Sequence, residues 1–120
     1  MERTQRQLKV GEELRHIIVD TLQKGRFHDE ALLDARTITV TEVRVSPDLK
    51  HATAYVLSLG GRDMEDILPA LNEASSYFQK QINLNIRLKN VPKVHFVKDE
   101  SFEQADKIET ILKNIPKSDT

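Results

Sequence analysis

TITVTEVRVSPDLKHATAYVLSLGG, residues 37–61, holds the pattern that decides the fold. Threonine and valine dominate its first third, a composition suited to an extended, half-buried chain. Ile38 and Val40 keep one phase of the two-residue strand period, and Val43 and Val45 keep the other. An uninterrupted strand from Thr37 to Val45 would turn two of these residues to each face. One extra residue near Thr41–Glu42, a β-bulge, brings all four to the same face. Ser46-Pro47-Asp48 predicts the turn that follows, because proline's fixed φ suits its first central position. His51 to Leu59 then alternates Ala52, Ala54 and Val56 with Thr53, Tyr55 and Leu57. This is the second arm of a hairpin, and Gly60-Gly61 ends it.

Outward from the hairpin the period changes to that of helices. Val10, Leu14, Ile17, Ile18, Thr21 and Leu22 recur at helical spacing and predict a helix from about Gln5 to Gln23. Gly25 fits its end through the left-handed conformation that glycine adopts cheaply. Arg26 to Ala35 reads as a loop with Phe27 as an anchor. Beyond the hairpin, Asp63 is placed to cap a helix, and Ile67, Leu68, Leu71, Ala74, Phe78 and Ile82 continue a helical stripe. Pro69 and the Ala74-Ser75-Ser76 step lie inside it, so two helices meeting at a bend are expected. Pro92 leads into a third strand, Lys93 to Lys98. Ser101 opens a last amphipathic helix on Phe102, Ala105, Ile108, Ile111, Leu112 and Ile115, and Pro116 stops it. The expected class is α+β: a small, mostly antiparallel sheet with helices on one face.

Composition narrows the function classes. The 120 residues suit one domain, and 38% hydrophobic with 31% charged content is globular. There is no cysteine, which excludes disulfides and thiolate metal sites. No apolar run approaches the roughly 20 residues that span a bilayer. The start, MERTQRQLKV, carries no secretory h-region, so a cytoplasmic protein without a membrane partner is expected. Net charge is −1, yet its distribution is uneven. From Ala74 to Lys98 there is no acid, while Lys80, Arg87, Lys89, Lys93 and Lys98 are all cationic. The stretch Asp99–Thr120 holds six acids against three lysines, and the first nine residues hold Arg3, Arg6 and Lys9 against Glu2.

The order helix, strand, strand, helix, helix, strand matches a type II KH topology. Three segments, TEVRVSPDLKHATAYV (41–56), LNEASSYFQKQI (71–82) and RLKNVPKVHFVKDES (87–101), together with Ile108, Ile111 and Leu112, resemble the ribosome-binding factor A family over nearly the whole chain. The specific signal is the pairing of a V-x-V-S-x-D-L-x-x-A-x-x-Y-V hairpin with R-L-x-x-V-P-x-x-x-F. The resemblance implies a type II KH-like RNA-binding domain over residues 1–115 with an added C-terminal helix and a frayed tail at 116–120. It also implies a non-catalytic assembly factor that binds the immature 30S subunit, supports 5′-end maturation of its 16S rRNA, and matters for growth in the cold. The family replaces the G-x-x-G loop of ordinary KH domains with a helix–kink–helix of A-x-G signature. Ala74, Ser75 and Ser76 match it, with Ser76 standing where the family has glycine. Serine has the narrower backbone range, which bears on the sharpness of the kink.

Phosphate recognition needs cations and free donors. The acid-free window supplies both, and a helix starting at the bend would aim backbone N–H groups at an anion. The residues expected to bind RNA are Ser75, Ser76, Lys80, Arg87 and Lys89, then Arg3, Arg6 and Lys9 as a mobile N-terminal arm. Tyr55 and Tyr77 can stack bases, although structural edge packing accounts for them better. His16, His28, His51 and His95 lack metal-ligand spacing, so no metal, cofactor or catalytic residue is expected. Asp99, Glu100 and Glu103 suit a helix cap and first turn. A monomer is expected, with no coiled-coil seam. Two other classes stay open: a protein–protein adaptor acting through the acidic last helix, and a small RNA-processing hydrolase, for which no metal cluster or paired general base is visible.

Overall fold

Helix α1, Gln5–Lys24, starts at a reciprocal cap. The Gln7 N–H donates to Thr4 Oγ1 at 3.1 Å, and the Thr4 N–H donates to Gln7 Oε1 at 2.8 Å. The two bonds satisfy donors that a helix start leaves without partners. The buried Gln7 then spends its Nε2 on the Val45 carbonyl at 2.9 Å, tying the helix start to a strand. Thr4→Ala is expected to cost about 1 kcal/mol, read as a lower urea midpoint by circular dichroism. An unmoved midpoint would mean that the Gln7–Val45 bond alone defines this end.

The computed structural model describes residues 3–25, 27, 32, 37–58 and 64–101. Most of the loop at 26–35, Gly60-Gly61, the Asp63 cap, and the expected last helix and tail beyond Ser101 lie outside these residues. Strands β1 (Ile38–Val45) and β2 (His51–Ser58) pair antiparallel. The register slips between Val40 and Glu42, so Thr41 is the extra residue. With that bulge, Ile38, Val40, Val43 and Val45 are all buried. The bulge also lets the Thr41 hydroxyl reach the Asp99 carboxylate past the end of the third strand. In the turn, the Ser46 hydroxyl and the Lys50 N–H both donate to Asp48 Oδ1, at 2.5 and 3.0 Å. These bonds, the Ser46 one foremost, hold the Asp48 carboxyl below its usual range.

Helices α2 (Met64–Glu73) and α3 (Ser75–Asn85) carry the chain to β3 (Lys93–Lys98). The sheet order is β1-β2-β3, and β3 runs parallel to β2, not antiparallel. The crossover explains the direction: β2 ends at Ser58, and two helices return the chain to the end where β2 began, so that the Lys93 N–H bonds the Lys50 carbonyl at 2.9 Å. Helix α1 packs on β1, α2 and α3 pack on β3, and α1 touches α3. Val10, Leu14 and Ile18 of α1, Val56 of β2, and Phe78 and Ile82 of α3 fill the space between.

Two glycines matter through close approach. A Cβ on Gly11 would stand 2.6 Å from the Val43 carbonyl oxygen, so only glycine lets α1 lie this near β1. Gly25 has φ −67° and ψ 150°, an extended backbone instead of the left-handed one expected. Its Cβ would meet the Thr21 carbonyl oxygen at 2.5 Å and the Phe27 ring at 3.0 Å, and these contacts account for the residue.

Candidate nucleic-acid interface

The break between α2 and α3 falls at Ala74, and Pro69 is accommodated inside α2. Ala74 has φ −84° and ψ 8°, and its carbonyl accepts from the Tyr77 and Phe78 N–H groups at 3.0 and 3.2 Å. This is a tight turn on the right-handed side. Among the described non-glycine residues only Leu49 has positive φ, so Ser76 bears no strain that a glycine would relieve. No side chain caps α3.

From this break a groove of about 850 Å³ opens between α3 and the segment leading into β3. Ser75, Ser76 and Lys80 line the helix wall, one face by their spacing. Lys89, Asn90 and Lys93 line the opposite wall. Val91 and Val94 supply apolar surface, and Leu84, 70% exposed, stands at the groove as well. No acidic side chain is among the described residues that line it. All three lysines are exposed. Three cations within one acid-free concavity add their fields, and an entering polyanion meets them together.

Of the residues expected to bind RNA, Ser75, Ser76, Lys80 and Lys89 meet in this groove. Arg87 is exposed but is not part of the lining. Helix α3 ends at Asn85, so residues beyond it leave the helical face, and Arg87 leaves it with them. Lys93, left off the expected set, joins because β3 begins there. The N-terminal cations differ from expectation. Arg6 and Lys9 lie within α1 and form no mobile arm. The Arg3 guanidinium bonds Glu42 at 2.9 Å, and Arg44 bonds the other oxygen of the same carboxylate at 3.1 Å. Burial raises the Glu42 pKa, but the Arg44 and Arg3 hydrogen bonds outweigh it and hold the carboxyl below its usual range. The start of α1, beside Val45, and the start of β3, beside Lys50, share one end of the sheet. They sit over opposite outer strands, and no α1 residue lines the groove.

The remaining candidates resolve into packing. Tyr77 meets Phe27 edge-on with centroids 5.7 Å apart, and Arg44 lies 5.5 Å over the Tyr55 ring. Asp99 accepts from the Ser101 N–H at 2.9 Å and from its hydroxyl at 2.5 Å, while the helix it was expected to cap lies outside the described residues. Burial raises the Asp99 pKa, but the Ser101 and Thr41 bonds outweigh it and leave the carboxyl below its usual range. His51 and His95 occupy adjacent strands two residues apart in register, His51 opposite Lys93 and His95 opposite Thr53. Among the described residues no group of three or more His, Cys, Asp or Glu is placed to hold a metal, and no helix is long and apolar enough to cross a membrane.

The family model for ribosome-binding factor A matches residues 6–112. The chain belongs to the ribosome-binding factor A family. Ribosome-binding factor A of Novosphingobium aromaticivorans is 46% identical over 110 residues, 92% of this chain and 81% of that one. The Paramagnetospirillum magneticum protein of the same name is 48% identical over 109 residues, 91% and 76% of the two chains. The crystal structure of ribosome-binding factor A from Thermus thermophilus superposes with a TM-score of 0.66 at 21% identity, covering 79% of this chain and 97% of that one. A Thermus thermophilus ribosome-binding factor A fitted into a cryo-EM map of a 30S complex gives 0.61 at 22% identity, over 78% and 96% of the chains. At these identities the likeness establishes the fold alone.

Proposed function

We propose that this chain binds the immature 30S ribosomal subunit in the cytoplasm as a KH-like monomer. In this reading the groove beside the Ala74 break grips phosphates of 16S rRNA and supports maturation of its 5′ end, including growth in the cold. The chain itself does no chemistry; its part is to bind. One observation carries the proposal: Lys80, Lys89 and Lys93, with the hydroxyls of Ser75 and Ser76, line one concavity whose described residues include no acid, in a protein of net charge −1. A sequence-neutral solvated surface would mix signs, as the second cleft does where Lys24 and Asp20 pair at 3.0 Å. Family membership supports the choice of partner, and the Thermus thermophilus protein fitted in a 30S complex supports it further.

The test is sucrose-gradient fractionation of lysate at two salt concentrations. The protein is expected with free 30S particles, reduced on 70S ribosomes, and released as salt rises, because counterion release makes phosphate contacts salt-sensitive. Cosedimentation that ignores salt would remove phosphate contact as the basis of binding.

A further inference from the structure

Two side-chain amides flank the Ala74 break, one on each helix, and both are spent on the same strand. Strand β3 lies at the sheet edge. Its Lys93 and the following Asp99 give their N–H groups to β2 residues or the turn before them, at 2.9 Å each. By strand alternation Pro92, Val94 and Phe96 point their backbone groups the other way, off the sheet. Asn72 of α2 donates Nδ2 to the Phe96 carbonyl at 3.1 Å and accepts the Phe96 N–H on Oδ1 at 2.9 Å. Gln79 of α3 donates Nε2 to the Pro92 carbonyl at 3.0 Å and accepts the Val94 N–H on Oε1 at 3.2 Å. Each amide thus imitates the donor–acceptor pair of a neighbouring strand.

The geometry points to Asn72 and Gln79 as positioning residues: pinned to β3 on either side of the break, they set where Ser75, Ser76 and Lys80 stand against Lys89 and Lys93. This rests on the RNA-binding reading for its consequence, but not for its geometry. The break is held by backbone bonds at Ala74 but by no side-chain cap, so the amide bonds to β3 are the polar side-chain ties that hold its two flanks to the strand. Two-point bonds restrain direction as well as distance, as paired donors and acceptors do elsewhere. Gln79 lines the groove and could touch a ligand itself; Asn72 does not line it. An effect of Asn72 on binding therefore passes through the placement of other residues.

The experiment uses the full chain with Asn72→Ala, Gln79→Ala and the near-isosteric, neutral Asn72→Leu, each checked for a native fold by circular dichroism. Asn72→Leu keeps helix propensity and bulk should the alanine variant unfold. Two readouts are taken: amide resonances of Ser75, Ser76 and Lys80, and affinity for purified 30S subunits at fixed salt. The expected result is displaced Ser75–Lys80 resonances, affinity about tenfold weaker, and a smaller effect of Lys80→Ala in the Asn72 variants than in the native chain, as coupled residues show. Unmoved resonances overturn the proposal, and so do moved resonances with unchanged affinity. If the native chain fails to bind 30S subunits, the RNA reading falls, and the resonances still decide whether the amides place the groove.

Discussion

Phe78→Ala is expected to destabilise the protein by about 3–5 kcal/mol. Phe78 is 1% exposed and joins the two halves of the core. Its ring stacks on Phe27 with centroids 5.6 Å apart and meets Phe96 edge-on at 4.9 Å. Truncation removes the aromatic contacts to both partners and leaves a hole that α3, held to β3 by Gln79, cannot readily close. A domain of this size has a total stability on the order of 5–15 kcal/mol, so the loss takes a large share of it. The measurement is urea denaturation followed by circular dichroism, with the midpoint falling and the slope unchanged. A loss below about 1 kcal/mol would mean that the core refills the site and that the aromatic cluster matters little. Since Phe78 shares α3 with Ser76 and Lys80, binding to 30S subunits should fade at the same denaturant concentration as the fold.

Reversing the three groove lysines together, Lys80→Glu, Lys89→Glu and Lys93→Glu, is expected to weaken 30S binding on the order of a hundredfold at low salt and to flatten the plot of log affinity against log salt by about three. The flattening is the sharper test, because each phosphate contact contributes about 0.9 to that slope. All three side chains are exposed, so the fold should survive with native circular dichroism. Reversal of Arg6 and Lys9, exposed on α1 and away from the groove, is the matched control and should change the slope less. An unchanged slope in the triple variant would place the RNA contact elsewhere on the molecule.

The bulge at Thr41 was legible because a phase change inside one apolar run has few physical solutions. The direction of β3 was not legible. A six-residue strand carries no mark of direction, and two helices can return a chain to either end of its partner. Thr4 and Gln7 spell a capping box that went unread in the sequence, although the spacing was there. Gly11 sits inside a helical stripe, where only the Val43 carbonyl explains it. At the site, the missing acids from Ala74 to Lys98 marked the stretch that the structure folds around the groove. Which cations share a wall depends on where α3 stops and β3 starts, and that boundary separates Arg87 from Lys93. Asn72 and Gln79 gave no signal, since exposed amides on a helix look like ordinary solvated positions.

The parallel pairing of β2 with β3 also imposes a timetable on the growing chain. The hairpin closes over residues 46–50, five residues, whereas β3 reaches β2 only after residues 59–92, thirty-four of them. The closure entropies are about 1.4 and about 3 kcal/mol, and every residue of the groove belongs to the later event. A nascent chain thus completes its hairpin well before it can assemble the groove, whose second wall exists only once Lys93 and Val94 have been made.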